Sequence, residues 1–156
     1  MQLQIIAIGT KMPGWVNEGF SEYAKRFPRD FSLILTEIPM PKRHKNQSIL
    51  QAIREEEQKI LACLSSRSFT IALDEQGKLW DTKTLANQIS NFQVKTSQLN
   101  FLIGGPDGLS PSCLKKADVH WSLSPLTLPH PLVRIILIEQ LYRAVSILNN
   151  HPYHRV

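Results

Sequence analysis

Residues 100–110 read NFLIGGPDGLS and residues 122–156 read SLSPLTLPHPLVRIILIEQLYRAVSILNNHPYHRV, with a short helix and strand between them. An apolar strand here runs into a Gly-Gly-Pro-Asp-Gly turn. A second strand runs into a loop with prolines at 125, 129 and 131, and a long apolar helix ends in a tail carrying His151, Tyr153, His154 and Arg155. Open α/β sheets bind ligands in the loops that leave the carboxyl ends of their strands. Two such loops precede the final helix, so a site is expected between them.

Working outward, the rest of the chain alternates in the same way. Apolar runs with β-branched residues predict strands at 3–8, 31–38, 69–73, 99–103 and 119–123. Apolar residues at helical spacing predict helices at 15–27, at about 48–64, at 82–92 and at 132–149. Asp74-Glu75-Gln76-Gly77 reads as a turn at the end of the third strand, and Pro111 suits the first turn of a short helix starting at Ser110. The resulting order, five strands each followed by a helix, predicts an α/β fold with a mostly parallel sheet and helices on both faces. The 156 residues are expected to form one domain, with no repeat or linker.

Composition narrows the partners. Hydrophobic content of 42% and charged content of 20% are ordinary for a soluble protein, and no run approaches the roughly 18 apolar residues of a membrane span. The start MQLQIIAIG reads as a first strand and not as a secretion signal. Cys63 and Cys113 fall in predicted helices, so neither a disulfide framework nor a zinc site is expected, and a cytoplasmic setting follows. The net charge of +5 favours a polyanionic partner. PMPKRHKN (39–46) gathers Lys42, Arg43, His44 and Lys45 in one Pro-flanked loop, as phosphate contacts require; the plainer alternative is a solvated loop ahead of a helix.

The closing helix carries Ile138, Leu141, Tyr142, Val145 and Leu148 on one face. Glu139, Arg143, Ser146 and Asn150 lie on the other, where Ile136 and Ile147 also fall. Burial on two sides, by the sheet and by a second protomer, would account for this. Arg134 sits in the apolar face, where Arg is almost never buried without a partner. It reads either as a structural ion pair or as a ligand contact, and His130 just before it is a candidate substrate contact. Glu139 and Arg143 form an i,i+4 pair that, as a surface pair, contributes only about 0.3–0.5 kcal/mol. No Walker loop, GxGxxG, HExxH, nucleophile elbow or CxxC is present. The paired glycines at 104 and 105 let a ligand approach the backbone closely. His120 reads as structural.

IGGPDGLS, SLSPLTLPHPLVRIILIEQLYRA and NNHPYHR resemble the ribosomal large-subunit methyltransferase H family of the SPOUT superfamily, and the resemblance covers essentially the whole chain. It implies a SPOUT fold with a C-terminal trefoil knot, which periodicity does not reveal and which runs against the general rule for chain threading. It implies S-adenosylmethionine as methyl donor, a homodimer, and as substrate N3 of a pseudouridine in large-subunit rRNA, within a ribosomal particle. By position, the donor would touch Leu73, Gly104, Gly105, Leu123, Ser124, Pro125, Leu126, Thr127 and Leu128. Pseudouridine N3 must lose a proton to attack, so a base should stand beside it. His154 and Glu139 are the candidate acceptors, while Arg143, Tyr153 and Arg155 would hold the flipped base and its phosphates. Lys42, Arg43 and Lys45 would meet RNA, the donor site of one protomer would be completed by the tail of the other, and no metal is implied. A SPOUT enzyme acting on tRNA and a non-catalytic RNA-binding assembly protein are the alternatives.

Overall fold

The computed structural model describes residues 1–42 and 48–155. Five strands form one parallel sheet: β1 (Gln2–Ile8), β2 (Ser32–Ile38), β3 (Phe69–Leu79), β4 (Gln98–Ile103) and β5 (Val119–Ser122). Their order across the sheet is β2-β1-β4-β3-β5, so β5 lies at one edge beside β3. The helices are α1 (Gly14–Ala24), α2 (Ile49–Ala62), α3 (Thr82–Gln93), α4 (Pro111–Lys116) and α5 (His130–Leu148).

Side chains alternate across a strand, and the two faces divide accordingly. Leu3, Ile5 and Ala7 of β1 join the core shared with Phe20 of α1, Leu85 and Ile89 of α3, and Leu137 and Leu141 of α5. Ile6 and Ile8 point the other way, to Ile60 of α2 and Cys113 of α4. Helices therefore cover both faces. The helix starts follow their sequences: Ser48, Asp81 and Ser110 each accept a hydrogen bond from the backbone N–H three residues on, which satisfies one of the orphan donors of a first turn.

Three boundaries differ from expectation. Helix α5 starts at His130, with Pro129 as its N-cap and Pro131 in its first turn; the prolines that suggest a loop begin the helix. Helix α1 ends at Ala24, three residues before the expected end. Strand β3 continues past Leu73, through a register shift, to pair Lys78 and Leu79 with Trp121 and Ser122. Asp74 Oδ1 accepts from the Gln76 N–H at 3.1 Å, which makes the local turn that the sequence suggests. Pairing then resumes because Gly77 lies against β5, where an added Cβ would stand 2.6 Å from the Trp121 backbone nitrogen.

Packing of α5 within the chain accounts for part of its apolar surface. Helices α1 and α3 both pack against it, and Ile135 and Ile147 rest on the same core. Neighbours within the chain thus cover much of its apolar surface. Val133, Ile136 and Leu148 are left half-buried and Leu132 is exposed.

Gly77→Ala should cost about 1–3 kcal/mol, the usual penalty for forcing atoms into a packed site, read as a lowered urea midpoint at unchanged slope. Gly14→Ala, where a Cβ meets nothing within 4 Å, should stay within about 0.5 kcal/mol of the parent.

Candidate active site

The carboxyl ends of β4 and β5, with the middle of β3, enclose a cavity of about 590 Å³. Its walls come from the irregular middle of β3 (Leu73 to Gln76) and from the segments after β4 (the glycine turn) and after β5 (Leu123 to Pro129), with His130 and Val133 of α5 closing one side. Leu73, Gly104, Gly105, Leu123, Ser124, Leu126, Thr127 and Leu128 line it; Pro125 does not. Trp121 lies at its base, stacked on Trp80 at 5.4 Å, and its indole nitrogen has no hydrogen-bond partner among the described residues.

Gly104 is also needed for its own turn. An added Cβ would stand 2.6 Å from the Gly108 carbonyl carbon and 2.8 Å from the Leu109 nitrogen. The glycine lets the 104–108 turn close on itself, and Gly108 at φ 78° completes it.

Arg134 is fully buried. Its Nη2 donates to the Gly9 carbonyl oxygen at 2.6 Å and its Nη1 to Glu37 Oε2 at the end of β2. Its Nε donates to His130 Nε2 at 2.9 Å. A guanidinium has only donors, so Nε2 offers a lone pair and His130 carries its proton on Nδ1. That Nδ1–H donates to the Gly104 carbonyl oxygen at 3.0 Å. The pattern is that of a structural pairing, and Arg134 is absent from the cavity lining. Glu37 carries no signal of its own in the sequence, being a single acid near the end of a strand. A lone acid and a lone Arg in otherwise apolar elements are the trace that pairs them.

The tail forms a second, separate cluster. Asn150, at φ 54°, ends α5 in a left-handed turn, with the His151 N–H donating to the Ser146 carbonyl oxygen at 2.8 Å. This Schellman geometry folds the tail back on the helix, and Pro152–His154 makes one 3-10 turn. The Tyr153 ring lies 4.6 Å from that of Tyr142, and the Arg143 guanidinium stands 4.9 Å over it. Glu139 Oε1 accepts from Arg143 Nε at 2.8 Å and from the Tyr153 hydroxyl at 3.2 Å, while Oε2 accepts from Gln140 at 2.6 Å. Burial first, then Tyr23 and Glu139, push the Tyr153 phenol well above its usual range, so it remains a donor. His154 Nδ1 is buried without a hydrogen-bond partner among the described residues. His151 and Arg155 are exposed.

Within one chain the two clusters do not meet. Helix α5 rises about 1.5 Å per residue with about 3.6 residues per turn. Glu139 therefore lies ~14 Å along the axis from His130 and on the opposite side of the helix. Lys42 is exposed; Arg43 and Lys45 lie outside the described residues. No group of His, Cys, Asp and Glu that suits a metal ion occurs among the described residues, and none of their helices is long and apolar enough to cross a membrane.

The chain matches a family model described as "Predicted SPOUT methyltransferase" over residues 1–154. It is 52% identical over 155 residues to the ribosomal RNA large subunit methyltransferase H of Marinomonas sp. (strain MWYL1), covering 99% of this chain and all of that one. With the protein of the same name from Hahella chejuensis (strain KCTC 2396) it shares 51% identity, covering 99% of each. Among solved structures it superposes on a probable methylase family protein from Haemophilus influenzae Rd KW20 with a TM-score of 0.57. That match has 15% identity and covers 99% of this chain and 70% of the other.

Burial, then the positive Arg134, lowers the His130 pKa below its ordinary value. The unfolded chain takes up that proton at about pH 6.5, the folded chain only at lower pH. In that interval the unfolded state holds more protons, so stability is complete above it and falls as pH drops through it. Urea midpoints between about pH 7.5 and 5 should show this decline, and His130→Asn, which cannot take the proton, should flatten it.

Proposed function

The chain belongs to the ribosomal large-subunit methyltransferase H family of SPOUT methyltransferases, and we propose that it methylates N3 of a pseudouridine in large-subunit rRNA, using S-adenosylmethionine, at a site completed across a homodimer. The observation that carries this is the separation of two half-sites along α5. One chain holds a nucleoside-sized cavity at one end and a basic, aromatic tail cluster at the other, on the opposite side of the helix. Related proteins of the same length are named rRNA methyltransferases. The trefoil knot belongs to the same proposal. It is supported by the path of residues 123–129, from the edge strand β5 past the β4 end to a helix tied to β1 and β2.

Support for the donor comes from the cavity itself. Its volume falls within the range of small-molecule sites, Leu73, Leu123 and Leu128 give it apolar walls, and the Trp121 indole nitrogen is left without a protein acceptor. Leu73, Gly104, Gly105 and residues 123–128 would hold the donor, with Pro125 shaping the loop from outside the lining. When bound, S-adenosylmethionine supplies a methyl group already activated as a sulfonium, so no metal is called for. The residues of this chain then have to position the base and take a proton from N3. His154, with a buried and unengaged Nδ1, is the proposed acceptor. Both oxygens of Glu139 are already engaged by donors, so its part is to orient Arg143 and Tyr153. Arg143, Tyr153 and Arg155 hold the flipped base and its phosphates, and Lys42, Arg43 and Lys45 meet the RNA backbone.

Two inactive variants test the composite site. Gly104→Val breaks the glycine turn, and truncation after Asn149 removes the tail. Co-refolding them forms heterodimers with one intact cavity and one intact tail on different chains. Methyl transfer to large-subunit particles should reappear, up to one competent site per heterodimer. Background activity would mean that each chain completes its own site, and methylation of tRNA but not rRNA would overturn the substrate. Replacing Lys42, Arg43 and Lys45 with Ala should lower the salt slope of RNA binding by up to about 0.9 per lost contact on a duplex-like target, leaving donor affinity unchanged.

A further inference from the structure

We propose that Glu37, Arg134 and His130 form a positioning relay that sets the glycine turn and, through it, the shape of the donor cavity. The proposal rests on the donor reading above. It adds three residues that act through the 104–108 turn.

The contacts run in one direction. Glu37 Oε2, at the carboxyl end of β2, accepts from Arg134 Nη1. The Gly9 carbonyl oxygen, just past β1, accepts from Nη2 at 2.6 Å. Held on both sides, the guanidinium aims Nε at His130 Nε2, 2.9 Å away. This bond fixes the imidazole as the Nδ1–H tautomer, the form that can donate to the Gly104 carbonyl oxygen at 3.0 Å. Were the proton on Nε2, Arg134 would face a second donor and the Gly104 oxygen would lose its bond. The strand ends of β1 and β2 thereby determine which way a ring at the cavity rim points. Of the three side chains, His130 lines the cavity, whereas Glu37 and Arg134 do not. A tautomer fixed by the bond that the other ring nitrogen makes is a common means of orienting a working imidazole.

A role confined to fold stability would show itself in the urea midpoint alone. The relay predicts changes at the turn and in donor binding. In protein labelled with 15N at histidine, His130 should be neutral with its proton on Nδ1. Glu37→Gln, which removes the charge and keeps the shape, should shift the Gly104, Gly105 and Gly108 amide signals in the ligand-free protein. It should also raise the KM for S-adenosylmethionine at least tenfold while kcat stays within threefold. His130→Phe should do the same, and His130→Asn, whose amide can donate to the Gly104 carbonyl oxygen, should recover most of the loss. A proton on Nε2, or unmoved glycine signals in Glu37→Gln, would overturn the relay whatever the ligand is. Moved signals with unchanged KM would overturn its link to the cavity. A parent protein that binds no S-adenosylmethionine would overturn the donor reading and the cavity role with it, and the glycine signals would still decide whether the relay sets the turn. If His130→Phe fails to fold, Glu37→Gln and His130→Asn carry the test.

Discussion

A guanidinium removed from water must find its acceptors in the protein. In this chain Arg134 finds them at the ends of two strands and on the first residue of its own helix. Removing one partner of such a buried pair typically costs about 3–5 kcal/mol, because the other charge is left uncompensated. The start of α5 is therefore tied to β1 and β2, which come from the first forty residues, and through His130 to the turn after β4. These are contacts between distant parts of the chain. They set where the helix begins and which way the loop before it runs.

Once that start is anchored, α5 separates the cavity from the tail cluster. Its inner side packs on the sheet core and its flanks on α1 and α3. The residues left partly open include Glu139, Gln140 and Arg143, beside the apolar Leu132, Val133, Ile136 and Leu148. Thr82 of α3 donates to Gln140 at 2.7 Å, and Gln140 in turn donates to Glu139. The acid that orients Arg143 and Tyr153 is thus fixed by a neighbouring helix as well as by its own. The i,i+4 pair that would contribute little on a free surface is here part of a network with a folded-back tail.

Much of the fold was legible because hydrophobic period and strand-helix alternation are local signals. The element order, the two covered faces and the strand-end loops all follow from them. What was not legible depends on contacts far apart in sequence. Sheet order places β5 beyond β3, which no periodicity states. The 74–77 turn reads correctly from Asp74, yet strand pairing resumes after it because Gly77 meets the Trp121 backbone. Gly104 was legible as a glycine that matters, but the atoms it must avoid, those of Gly108 and Leu109, belong to its own turn. Glu37 was invisible because its partner lies 97 residues later. The tail shows a dense set of functional side chains and little to pack with. What seats it is a Schellman turn at Asn150 and the Tyr142 ring beneath Tyr153.

The division along α5 also constrains how large the enzyme must be. The helix is 19 residues long, or ~28 Å at 1.5 Å per residue. A stiff rod of that length cannot bend to bring its two ends onto one substrate atom. Within one chain, a long loop would be needed to carry the tail side chains over the cavity. In the proposed composite site, two copies related by a twofold axis would do so without added residues, since each would present the same patch to the other. If α5 lies near that axis and antiparallel to its mate, the tail end of one helix comes beside the cavity end of the other. Helices α1 and α3 cover much of the apolar surface of α5, and Leu132 stays exposed. In the composite site proposed above, the distance between its two sets of candidate side chains is what a second copy would span.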